Sequence, residues 1–193
     1  MTIASRSADQ IATRELADAA GVSLRTVYRH FPDRDALLNG VSDRVAAALG
    51  APTRQARLTS ADDLGPMTEE LYLKNDSIAS LVRAEVLFKN DPAHQPRTFQ
   101  NRTEQAQQLV ASTFPELTQR ERHNLAALLR VLAGGRTWLL LRETFGLDGA
   151  ESGPLVAWAI GAFLAEVRRG NPPPARQSQH GKRPPAPADG NHP

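Results

Sequence analysis

Apolar residues recur at intervals of three and four along most of the chain, and no stretch alternates apolar with polar as a half-buried strand does. That spacing confines the chain to helices. The densest stretch, "ERHNLAALLRVLAGGRTWLLLRETFGL", holds Leu125, Leu128, Leu129, Leu132, Trp138, Leu139, Leu141 and Leu147, too many for one buried face. A second, "PLVAWAIGAFLAEVRRG", repeats the pattern with Val156, Ile160, Phe163, Leu164 and Val167. The spacing predicts helices over about 61–75, 77–89, 97–113, 118–145 and 152–169, parted by Asn75-Asp76, "NDPAHQP", "FPEL" and "GLDGAESGP". The predicted fold class is all-α.

Composition narrows what such a bundle does. With no cysteine, a disulfide scaffold, a thiolate metal site and a cysteine nucleophile are excluded, and the chain suits a reducing cytoplasm. No apolar run approaches the roughly 18 residues of a membrane span, and Met1 to Gln10 lacks the apolar core of a signal peptide, so no membrane partner is expected. The net charge is only +2, and residues 1–50 hold six arginines against six acids. Binding of a polyanion would have to come from the placement of those arginines rather than from bulk charge.

Three short helices are predicted ahead of Gly50. In "TRELADAAG" a hydroxyl cap at Thr13 precedes Leu16, Ala17 and Ala20 on one face, and Gly21 ends the helix. Ser23 caps a second helix that runs to about His30 and stops at Phe31-Pro32, because proline disfavours helix at the residue before it. Asp33 caps a third. "GAPTRQARLTS" then reads as a linker, which divides the chain into a head (1–50), a larger helical domain (51–170) and a Pro- and Gly-rich tail (171–193) expected to be disordered.

Two helices joined by "AGVS" are what a helix-turn-helix requires: a small Ala20 at the crossing, a glycine for positive φ, a Val22 plug and a Ser23 cap. The second helix would then be free to enter a major groove, offering guanidinium groups for guanine edges or phosphates and hydroxyls for phosphate oxygens. A competing reading pairs Arg25 and Arg29 with Asp18 or Asp33 and gives His30 a structural role.

Residues 13–38, "TRELADAAGVSLRTVYRHFPDRDALL", resemble the DNA-binding module of the tetracycline-repressor (TetR/AcrR) family of bacterial regulators. The pattern AxxAGVSxxTxYxHFxxxxxLL is matched at Ala17, Ala20, Gly21, Val22, Ser23, Thr26, Tyr28, His30, Phe31, Leu37 and Leu38. The resemblance implies that Ser23 to His30 form the recognition helix. It places Thr13 and Arg34 near the DNA backbone, makes Tyr28 and His30 phosphate contacts, and puts Leu24 and Arg25 at variable positions, with Arg25 the first choice for reading bases. Thr26 and Arg29 complete the expected surface, and Val27 and Phe31 belong to the module core.

The resemblance also implies a full first helix before Thr13, of which about three turns are missing; we read the coding frame as starting further upstream, the alternative being a shortened helix. A further implication is a twofold dimer through the last two long helices, expected to use Leu128, Leu132, Leu139, Val156, Ile160, Phe163, Leu164 and Val167, with Ala159, Gly161 and Ala162 letting helices approach. A small-molecule effector pocket is expected from Leu81, Val82, Glu85, Phe88, Trp138 and Arg142, which mix apolar walls with polar groups. Gly134-Gly135 inside a predicted helix marks close packing, a bend or ligand access.

The five histidines are scattered, and neither H-E-x-x-H, G-x-S-x-G nor a phosphate loop occurs, so neither an enzyme nor a cofactor or metal is expected. The reading is a dimeric repressor released from a palindromic operator by an effector. The alternative from another class is a helical adaptor that has lost DNA binding with its first helix.

Overall fold

The computed structural model describes residues 13–14, 16–18, 21–50, 57–88 and 97–175. The expectations for the first helix ahead of Thr13, most of the linker, and the tail beyond 175 lie outside them. Helical backbone at 13–14 and 16–18 is followed by α1 (Leu24–His30) and α2 (Arg34–Ala48). A 3-10 turn (Ala61–Asp63) leads into α3 (Leu64–Ser77), and then come α4 (Ala79–Phe88), α5 (Arg97–Thr113), α6 (Gln119–Leu132), α7 (Gly135–Phe145) and α8 (Gly149–Arg168). No strand occurs among the described residues, in keeping with the all-α expectation.

The starts of these helices are written in the sequence as caps. Asp33 Oδ1 accepts from the Ala36 amide at 2.7 Å, and capping boxes open α6 (Thr118 with Glu121) and α8 (Asp148 with Glu151). Each satisfies amides that have no partner within the helix. The predicted helix over 118–145 proves to be two. Gly134 takes an extended conformation (φ −91°, ψ 150°), and the Tyr72 hydroxyl, reaching across from α3, donates to the Leu132 carbonyl left free at the break. Gly135 adds close packing, since a Cβ there would lie 3.2 Å from Val82 Cγ1.

α3 and α8 form the most extensive helix pair, and glycines set their approach. A Cβ at Gly149 would overlap the Tyr72 carbonyl, and one at Gly153 would sit 3.1 Å from Glu69 Cα. The small residues named from sequence lie elsewhere: Gly161 has nothing within 4 Å of a built Cβ, and Ala162 is exposed. Asp76, at the end of α3, ties this seam to α7. It accepts from the Gly149 amide (2.7 Å), Trp138 Nε1 (3.2 Å) and Arg142 (2.8 Å). α2 packs on α4 and α5 and so joins the head to the body, with Val41, Val45 and Leu49 buried along it.

Candidate nucleic-acid interface and body cavity

The turn before α1 has the geometry its residues require. Gly21 lies at φ +65°, where a side chain would be strained, and its amide donates to the Asp18 carbonyl at 3.1 Å while that of Val22 donates to Ala17 at 3.0 Å. Ser23 Oγ accepts from the Thr26 amide at 3.2 Å and shares a hydrogen bond with Thr26 Oγ1 at 3.0 Å. The exposed Ser23 hydroxyl is therefore engaged in capping, and Thr26 is half-buried.

One edge of α1 is anchored. Val27 is buried, Leu24 and Phe31 are half-buried against the core, and the Phe31 ring lies over Gly40 of α2 so closely that a Cβ there would collide with it. The other edge carries Arg25, Tyr28, Arg29 and His30, all exposed, with Tyr28 at 58%. Among the described residues no ion pair joins Arg25 or Arg29 to Asp18 or Asp33, so the competing reading of those arginines has no support in the geometry.

Two expected backbone contacts sit differently. Thr13 is 3% exposed, a core position. Arg34 is half-buried, and its Nη2 donates to the Phe88 carbonyl at 3.1 Å, which fastens the start of α2 to the end of α4.

Residues 1–41 match the family model of bacterial regulatory proteins, tetR family. The chain carries a TetR-family head. A helix-turn-helix of this family supports a DNA-binding transcriptional regulator. No curated protein and no solved structure matches the chain.

The body behind the TetR head holds a cavity of about 80 Å³ between α3, α5 and α6, bounded by Leu64, Met67 and Leu71, by Arg102, Gln105, Ala106 and Leu109, and by Leu129, Arg130 and Ala133. None of the residues expected to form a pocket lines it. Val82, Phe88 and Trp138 are core, Glu85 is buried beside Arg130, the partly buried Leu81 borders a hollow in the head, and Arg142 pairs with Asp76. Sequence reasoning missed Arg102 and Arg130. Their signal was a charge in the apolar phase of a helix: Arg102 leads Ala106 and Leu109 by four and seven positions, and Arg130 follows Ala126 by four.

The expected dimer residues also need correcting. Val156, Ile160, Leu164 and Val167 are 0–5% exposed and face the chain's own core, as does Leu139; Leu132 packs partly against it, and Leu128 is half-buried. α8 has two apolar faces, and residue type does not distinguish the inner from the outer. The outer one carries Leu155 (47% exposed), Trp158 (72%) and Phe163 (38%), the last the single expected dimer residue found exposed. Among the described residues no helix is long and apolar enough to cross a membrane.

Proposed function

We propose that the chain is a cytoplasmic homodimeric repressor that binds a palindromic operator through α1 and is released by a small-molecule effector. The observation that carries this reading is the edge of α1, where Arg25, Tyr28, Arg29 and His30 stand exposed on a helix whose other edge is fixed to the head. Arg25 reads a base edge, Tyr28 and His30 hold phosphates, and Arg29 adds charge. A second copy covers Leu155, Trp158 and Phe163, and the twofold axis sets the two recognition helices about 34 Å apart.

The route from effector to DNA runs through α5, which lines the cavity and touches α2, the helix that carries the head. A ligand that prefers one placement of α5 shifts the spacing of the recognition helices, and one with equal affinity for both placements does nothing. Selection of bound duplexes from a random library tests the DNA reading. The expected product is a palindrome with half-sites about one helical turn apart. Recovery of no common sequence, from a chain that remains a stable dimer, would favour the adaptor.

A further inference from the structure

The cavity between α3, α5 and α6 pairs apolar walls with two guanidinium groups that lack full hydrogen bonding. Arg102 Nη2 and Arg130 Nε are both buried and have no acceptor, although nearly every buried donor in a folded protein finds one. Both arginines border the same space. Burial, joined by the like charge of Arg102 and opposed by Glu85, lowers the Arg130 pKa to about 10. Arg130 thus keeps its charge at neutral pH, with its guanidinium 5.1 Å from the centre of the Phe99 ring. Among the described residues, the charges that act on Arg130 are those of Arg102 and Glu85, and these three groups together carry one positive charge in excess.

We infer that this cavity binds a small monocarboxylate with an apolar body, its carboxylate bridging Arg102 and Arg130 and its hydrocarbon lying against Leu64, Met67, Leu71 and Leu109. One carboxylate supplies acceptors for both idle N–H groups and the single negative charge that balances Arg102, Arg130 and Glu85. A neutral amphiphile satisfies neither need, a cation adds repulsion, and a dianion leaves a buried negative excess. The roughly 80 Å³ available limits the ligand to a short chain or one ring. This names the ligand class of the effector reading, and it depends on that reading only for the step from binding to DNA release.

Isothermal calorimetry of the full chain without DNA tests it, using acetate, butyrate, hexanoate, octanoate and benzoate against hexanol as the neutral control. The expected result is one carboxylate per chain, hexanol weaker by about tenfold or more, and a loss of about ten- to a hundredfold in both Arg102→Met and Arg130→Met. Failure of the whole series, equal binding of hexanol and hexanoate, or wild-type affinity in both variants would overturn the inference. Should a variant not fold, by its helical circular dichroism, the hexanol comparison on the wild type decides. Anisotropy on operator DNA separates the two claims. Carboxylate binding without DNA release would contradict the effector reading alone, whereas release by another compound with no carboxylate binding would contradict this inference alone.

Discussion

Tyr28 exposes more than half of a large ring on a helix of seven residues, yet it is unneeded for packing, since Val27 and Phe31 hold that helix down. Its hydroxyl and the Arg25 guanidinium should fail differently. Arg25→Ala is expected to lose about 1–3 kcal/mol on the operator and little on random DNA, relaxing sequence preference. Tyr28→Phe should cost about 1 kcal/mol on every sequence alike. Competition binding on both DNAs checks this, and equal losses for Arg25→Ala would remove it from base readout. At this scale the sequence could be read well where a residue's role is local, as with the Ser23 cap and the positive φ of Gly21. It could not be read where the role depends on what faces the residue: Arg34 looks like a surface arginine until the end of α4 supplies a carbonyl.

Helix starts followed their caps, but α3 runs through the break predicted at Asn75-Asp76 and α8 begins at Gly149 within the predicted loop, while the long predicted helix divided where Gly134 and the hydroxyl of Tyr72 from a distant helix coincide. The pairing of α3 with α8 depends on contacts that periodicity does not encode. Gly149→Ala should destabilise the chain by about 1–3 kcal/mol by forcing Tyr72 away, and denaturant unfolding measures it. Asp76→Ala leaves Trp138 Nε1 and the Gly149 amide without their acceptor, and a loss of about 1–3 kcal/mol is expected in the same assay. The caps bring a pH dependence. Hydrogen bonds from Thr118 lower the Glu121 pKa in the folded chain, so their stabilisation is present above the usual carboxylate range and fades as pH falls through the lowered value. Glu121→Gln should therefore flatten the acid side of a stability profile.

For the whole molecule, the all-α class followed from spacing alone, and the head from a motif whose residues interact within a few turns. The body was harder because its two apolar faces on α8 and its cavity arise between helices far apart in sequence. If the exposed face is the dimer interface, Trp158→Arg should yield monomers in sedimentation while leaving the helical content unchanged. The most direct test of the account is fluorescence anisotropy of the chain on DNA beside its own gene, with random competitor and at two salt concentrations. The account predicts tight binding by two chains per site that survives competitor and weakens in Arg25→Ala; binding that random DNA displaces, on this fragment and on library-selected sequences alike, would contradict it.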